Sequence, residues 1–191
     1  ASSLSSASKS ALSVVSKGND GVTPGGVSIH TNGTLTGGIG IDATNNGTGA
    51  LSIDALGAVE GTSGNAIQAL NRNANAGALS IVTKQTVAAK GTGISATNYG
   101  SGPLTIDTSG GVSGATGISA LNRGSGALAV DAHGTVTGTK SNGISATNYG
   151  TDLSIDAADD VSGGTTGIKV TNYGIGSTRI ETEGAVDGQG A

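Results

Sequence analysis

The chain has 191 residues, of which 36 are glycine, and it contains no cysteine, tryptophan, phenylalanine or methionine. The formal net charge is −4, and the nine lysine and arginine residues are spread along the chain, which argues against a nucleic-acid-binding protein and against a polybasic membrane anchor. Disulfides and thiolate metal sites are excluded, and no apolar run is long enough for direct membrane insertion of this segment.

A motif of the form Gly-Ile-x-Ala-x-Asn-x-Gly recurs along the chain. The copies, in chain order, are a degenerate ALSVVSKG at 11–18, then GIDATNNG at 40–47, NAIQALNRN at 65–73, GISATNYG at 93–100, GISALNRG at 117–124, GISATNYG at 143–150 and GIKVTNYG at 167–174. The apolar residues that lead these copies lie 24–29 residues apart: Leu12, Ile41, Ile67, Ile94, Ile118, Ile144 and Ile168. This period is too short for a helical-pair repeat, and the abundant Gly, Thr, Ser, Asn and Val favour strands and turns.

Each repeat contains three short alternations of apolar and small polar residues, as at 94–98, 104–108 and 112–114. Alternation with a period of two points one set of side chains inward, and the glycine-rich segments between are expected to supply the positive φ angles of tight corners. We therefore predict an all-β fold, a right-handed parallel β-helix of about seven three-strand coils. It forms one domain over 1–191, with a degenerate first coil at 1–24 and regular coils at 25–191.

Stacking turns each repeat position into a column, and the asparagine of the motif forms an inward column at a corner. Its members are Asn45, Asn71, Asn98, Asn122, Asn148 and Asn172, with Ser16 in the degenerate copy. Asparagine side-chain amides both donate and accept hydrogen bonds. We interpret this column as a structural ladder rather than a ligand site.

The next residue in each motif points outward and contains every tyrosine of the chain. This column comprises Asn46, Arg72, Tyr99, Arg123, Tyr149 and Tyr173. One interpretation is a stack that shields a corner. The other is a binding edge for a glycan or a protein, formed by Arg72, Tyr99, Arg123, Tyr149 and Tyr173, because Tyr and Arg are enriched at binding hot spots.

Acidic residues dominate a second outward column, His30, Asp54, Val82, Asp107, Asp131, Asp156 and Glu181. A solvated acidic stripe is one interpretation. The alternative is a divalent-cation site formed by Asp107, Asp131, Asp156 and Glu181, because hard cations such as Ca²⁺ prefer carboxylate oxygens. In that case millimolar Ca²⁺ raises the melting temperature, and no other cofactor is expected.

The repeat also bears on two further functional classes, polysaccharide-cleaving enzymes and ice-binding proteins. Some parallel β-helices cleave polysaccharides, but here the corner segments are short and His30 and His133 stand in no recognisable catalytic pattern, so we expect no enzyme. An ice-binding face needs an unbroken row of threonines. The outward column with Thr44 and Thr97 is interrupted by Leu70 and Leu121.

The run GISATNYGSGPLTIDTSGGVSGATGISALNRGSGALAVDAHGTVTG at 93–138 resembles the repeat region of autotransporter passenger domains, most closely alphaproteobacterial ones. The resemblance extends over roughly 25–191. It implies secretion across the Gram-negative outer membrane and a location outside the cell or on its surface. The GDSGS motif of passengers with a chymotrypsin-like protease domain is absent, so no site residue carries over from the family.

Together these observations predict a non-enzymatic extracellular adhesin that binds a protein or a glycan on host or neighbouring cells. Two alternatives stay open. One is a structural stalk or filament formed by end-to-end self-association, because an exposed last coil leaves unpaired strand edges. The other is an enzyme that acts on polysaccharides.

Overall fold

A computed structural model describes residues 4–6, 9–17 and 25–190 of the chain. These residues form 22 β-strands, arranged in three parallel sheets. Within the same residues there is no helix of the length and hydropathy that a membrane crossing requires. The predicted all-β, parallel β-helical architecture is therefore confirmed.

Each coil contributes one strand to each sheet. Sheet A contains β1 (Leu4–Ser5), β4 (Leu35–Gly37), β7 (Val59–Gly61), β10 (Val87–Ala89), β13 (Val112–Gly114), β16 (Val136–Gly138), β19 (Val161–Gly163) and β22 (Val186–Gly188). Sheet B contains β2 (Leu12–Ser16), β5 (Ile41–Asn45), β8 (Ile67–Asn71), β11 (Thr92–Asn98), β14 (Thr116–Asn122), β17 (Asn142–Asn148) and β20 (Thr166–Asn172). Sheet C contains β3 (Val27–Thr31), β6 (Leu51–Ala55), β9 (Leu79–Thr83), β12 (Leu104–Thr108), β15 (Leu128–Ala132), β18 (Leu153–Ala157) and β21 (Thr178–Thr182).

The strand register follows the repeat without slippage. Ile94 in β11 pairs with Ile67 on one side and with Ile118 on the other, and the same holds at each position of the motif. In-register stacking is what converts a repeated residue into a continuous column along the solenoid. One copy of the motif therefore corresponds to one coil of the solenoid.

The interior of the solenoid is filled by the apolar residues of all three sheets. In the coil that begins at Thr92, Ile94, Leu104, Ile106 and Val112 are each at most 1% exposed. Burial of one such side chain stabilises the fold by roughly 2 kcal/mol. Every central coil adds a similar set, so the core is one continuous column of Ile, Leu, Val and Ala.

The first coil contains more structure than the repeat predicts. The degenerate copy forms β2, in which Leu12 pairs with Ile41 and Ser16 with Asn45. A short additional strand, β1, pairs with β4 and gives sheet A one strand more than the other sheets. Residues 1–3, 7–8 and 18–24, which belong to the predicted degenerate coil, lie outside the described residues, as does 191.

The corner glycines serve a different purpose from the one predicted. We expected them to supply positive φ angles, and that prediction is wrong: among the described residues the glycine with a positive φ is Gly190, at 61°. The corner glycines instead make room for the neighbouring coil. A Cβ atom on the corner residue Gly100 would lie 2.5 Å from the carbonyl oxygen of Ala76. The same holds inside strand β14, where a Cβ atom on Gly117 would lie 2.5 Å from the carbonyl oxygen of Gly143.

Candidate binding edge between sheets B and C

An asparagine ladder runs along the corner where sheet B ends. The Nδ2 of each asparagine donates to the Oδ1 of the asparagine in the next coil, with N···O distances of 2.8–3.1 Å, in the order Asn45, Asn71, Asn98, Asn122, Asn148, Asn172. The first five members are fully buried. The inward column expected from the sequence is thus a continuous chain of amide hydrogen bonds.

Each asparagine also bonds to the backbone of its own corner. Asn98 donates through Nδ2 to the Gly102 carbonyl at 2.8 Å, and its Oδ1 accepts from the Gly100 amide at 3.0 Å. These bonds satisfy polar groups that would otherwise be buried without partners. Because they also fix the end of the strand, they hold the residue after each asparagine at a constant outward position.

That outward position carries what we call the Tyr/Arg edge: Arg72, Tyr99, Arg123, Tyr149 and Tyr173. The guanidinium carbon of Arg123 lies 5.9 Å from the ring centroid of Tyr99 and 5.7 Å from that of Tyr149. The rings of Tyr149 and Tyr173 are stacked, with centroids 4.9 Å apart and an interplanar angle of 21°. Four side chains from four successive coils therefore form one continuous stack.

The stack presents ring edges and hydroxyl groups to solvent, because the ring faces are directed at neighbouring side chains. Tyr99, Tyr149 and Tyr173 are 42%, 46% and 65% exposed. Neither Arg72 nor Arg123 forms an ion pair with any residue that the structure describes. Beside the stack, Leu70, Arg72 and Tyr99 line an open cleft of about 310 Å³. The edge therefore combines hydrogen-bonding groups, apolar rings and free positive charge.

Lys17 extends the same column, and the sequence reasoning missed it. Ser16 pairs with Asn45, so the residue that follows Ser16 occupies the position of Asn46. The backbone amide of Asn46 donates to the Ser16 carbonyl at 3.3 Å, which fixes this register. The signal was weak because serine replaces the marker asparagine in the degenerate copy.

The acidic column lies on the outer face of sheet C, in the predicted register. Several of its members are paired. His30 Nδ1 lies 2.8 Å from Asp54 Oδ2, His133 Nε2 lies 3.9 Å from Asp107 Oδ1, and Arg179 contacts Glu181. The histidine contacts join one coil to the next, whereas Arg179 and Glu181 lie on the same strand, β21.

Asp131 lies in the middle of this column. Partial burial raises the pKa of its carboxyl above the ordinary value of 3.8, and the neighbouring carboxylates of Asp156 and Asp107 raise it further, while His133 opposes them. No group of three or more His, Cys, Asp or Glu side chains within the described residues could hold a metal ion. The Ca²⁺ site at Asp107, Asp131, Asp156 and Glu181 stays a prediction without structural support.

Comparison with known proteins gave no match to any protein-family model, any curated protein or any solved structure. The function must therefore be inferred from the residues of this chain. Within the part of the chain that the structure describes, the Tyr/Arg edge is the surface where exposed aromatic rings and unpaired cations coincide.

Proposed function

We propose that this protein is a non-enzymatic extracellular β-helix of the autotransporter-passenger type. In this proposal the Tyr/Arg edge binds a protein or a glycan on the surface of host or neighbouring cells. The observation that carries the proposal is the exposed stack of Tyr99, Arg123, Tyr149 and Tyr173. The repeat sequence at 93–138, with its resemblance to passenger domains, supports the location outside the cell.

Preorganisation favours a binding role over mere shielding of the corner. Each side chain in the stack is held by its neighbours, so a ligand would immobilise it at little further cost in conformational entropy. The corner beneath is already held by the asparagine ladder, whose side chains hydrogen-bond from one coil to the next.

The test is saturable binding of the labelled chain to mammalian cells, beside a variant that carries Tyr99→Ser, Tyr149→Ser and Tyr173→Ser. We expect the variant to lose binding by tenfold or more, because aromatic hot-spot residues commonly contribute 2 kcal/mol or more each. The matched control is Leu56→Ser, which removes an apolar side chain that is 38% exposed on another corner. The control should bind like the unchanged chain, and thermal melting should show all three proteins folded.

Two results would contradict the proposal. One is the absence of saturable binding by the unchanged chain. The other is a triple variant that stays folded and binds as tightly as the Leu56→Ser control. Either result would remove the Tyr/Arg edge from any role in cell binding.

A further inference from the structure

The nine basic residues are spread along the sequence but are not spread around the solenoid. Six of them lie at the two corners that flank sheet B: Lys17, Arg72 and Arg123 where its strands end, and Lys9, Lys90 and Lys140 just before its strands begin. All six are exposed, and Lys169 adds a seventh exposed cation on the sheet itself. The solenoid therefore gathers cations along both borders of one face.

Most acidic residues lie on the other side of the molecule. Sheet C carries Asp54, Asp107, Asp131, Asp156 and Glu181, the corner that follows it carries Asp159, Asp160 and Glu183, and sheet A carries Glu60 and Asp187. On sheet B and at its corners the described residues include two acids, Asp42 and Asp152. Gln68 donates to Asp42 at 3.3 Å, and the backbone amide and hydroxyl of Ser177 donate to Asp152 at 2.7 and 2.9 Å. A net charge of −4 thus conceals a cationic face.

The outer surface of sheet B between these borders is rich in hydroxyl groups. Its outward positions in three neighbouring coils are Ser95 and Thr97, Ser119 and Leu121, and Ser145 and Thr147. A seven-residue strand such as β14 spans roughly 23 Å. Open clefts lie on both borders, one of about 640 Å³ beside Lys9 and the one of about 310 Å³ beside Arg72. Such a face offers hydrogen bonds at its centre and positive charge at its margins.

We propose that each cationic border of sheet B binds an acidic polysaccharide lying along the solenoid axis, since roughly 23 Å between the borders is too wide for one sugar chain to contact both. The inference rests on the proposed function and names the class of glycan that the Tyr/Arg edge would meet. Arg72 and Arg123 stand two coils apart, as do Lys90 and Lys140, which gives a separation of roughly 10 Å. That separation is close to the length of one disaccharide, so carboxylate or sulfate groups on alternate sugars would meet successive cations.

The chemistry favours a sugar chain over other polyanions. Serine and threonine hydroxyls hydrogen-bond to sugar hydroxyls, and arginine binds carboxylate and sulfate groups in a bidentate manner. The ring faces of Tyr149 and Tyr173 are directed at each other, so the stack offers no open platform between them for a nucleic-acid base. The acidic face of sheet C would repel a polyanion and so orient it on sheet B.

The experiment measures equilibrium binding of the full chain to three polysaccharides: heparin with sulfate and carboxylate groups, polygalacturonate with carboxylates alone, and neutral dextran. Three double variants are compared with the unchanged chain: Arg72→Gln with Arg123→Gln, Lys90→Gln with Lys140→Gln, and Lys84→Gln with Arg179→Gln. The third is the matched control, because it removes the same charge from the side of the molecule that carries the acidic residues. Thermal melting verifies that each variant is folded.

We expect heparin to bind in a salt-dependent manner, and each of the first two variants to weaken binding at its own border about tenfold, since two exposed ion pairs are lost there. The control should change affinity less than twofold. Binding of heparin together with polygalacturonate would identify carboxylate as sufficient, and binding of heparin alone would identify sulfate as required. Both outcomes support the proposal.

Three outcomes would overturn it: no binding of either acidic polysaccharide, equal weakening by the control variant, or equally tight binding of single-stranded DNA of similar length. The cell-binding experiment distinguishes failure of the polysaccharide proposal from failure of the proposed adhesin function. Cells that bind the chain through its tyrosines, without competition from acidic polysaccharide, would leave the adhesin role standing and remove only the glycan.

Discussion

The asparagine ladder and the Tyr/Arg edge are adjacent in every coil, at 98 and 99 or at 122 and 123, yet they differ in variability. The inward position is asparagine in six coils, while the outward position holds Asn, Arg or Tyr. Each buried amide must match the coil above, the coil below and its own corner, whereas an exposed side chain need only fit its neighbours. The difference separates what builds the solenoid from what the solenoid displays.

Removing one member of the asparagine ladder should lower the stability of the solenoid more than any change on the Tyr/Arg edge. Asn122→Ala deletes the bonds to Asn98, Asn148 and the Gly126 carbonyl, in a site that is fully buried. We expect a loss of about 3 kcal/mol in the free energy of unfolding, measured by denaturant titration, because several buried groups lose partners. The matched control is Asn172→Ala at the half-buried end of the ladder, which should cost less than half as much. Equal costs at the two positions would contradict the ladder's role.

A methyl group on a closely packed glycine inside a strand should cost slightly less. Gly117→Ala places a Cβ atom 2.5 Å from the Gly143 carbonyl oxygen and 2.6 Å from a methyl carbon of Val136. We expect a loss of about 2 kcal/mol, since overpacking forces the backbone to shift. Gly111→Ala is the control, because the atom nearest to its new Cβ would be the Thr135 hydroxyl oxygen at 3.2 Å. Equal melting temperatures of the two variants would contradict the interpretation that these glycines are needed for the close approach of neighbouring coils.

Substitutions on the Tyr/Arg edge should lower the stability less than substitutions in the asparagine ladder. Tyr149→Ser removes the ring that contacts both Tyr173 and Arg123. We expect a loss of about 1 kcal/mol, and a coupling energy of about 0.5–1 kcal/mol between positions 123 and 149 in a double-mutant cycle with Arg123→Gln. A coupling energy of zero would show that the two side chains merely lie near each other.

The smallest effect concerns the acidic column on sheet C. Because the folded-state pKa of Asp131 is raised above 3.8, folding favours its protonated form. Stability therefore falls as pH rises from 3.8 through the raised pKa, and the ionised carboxylate is unfavourable at neutral pH. Asp131→Asn should raise the melting temperature at pH 7 on the order of 1 °C and leave it unchanged at pH 3. A stabilisation of equal size at both pH values would contradict this origin, and Asp187→Asn on sheet A serves as the control.

Most of the fold could be predicted from the sequence, because in a parallel solenoid equivalent positions of successive repeats pair with each other. The repeat therefore fixes the strand register. The pairing of Ile94 with Ile67 and Ile118 follows directly from the spacing of the motif. Strand β1 could not be predicted, since a two-residue strand has no periodicity. The role of the glycines was missed for another reason. Gly117 and Gly143 approach each other between two coils, and the local sequence around either residue does not reveal that contact.

The candidate site was predicted in part. The outward column with Tyr99 and Arg123 follows from alternation alone, but Lys17 was hidden by a degenerate motif, and the cationic borders of sheet B were not seen. Lys90 and Arg123 are far apart in sequence and fall in different segments of the repeat. Their common face is visible only when each corner is assigned to the sheet that it flanks.

The most direct test of the Tyr/Arg edge uses the tyrosines themselves, since the chain contains three of them, all in that column, and no other aromatic residue apart from two histidines. Hydroxyl-radical footprinting of the chain bound to cells or to heparin would measure the oxidation of each tyrosine. We expect Tyr99 and Tyr149 to be protected on binding, while His30 on sheet C keeps its reactivity. Saturable binding that leaves the reactivity of all three tyrosines unchanged would contradict the account.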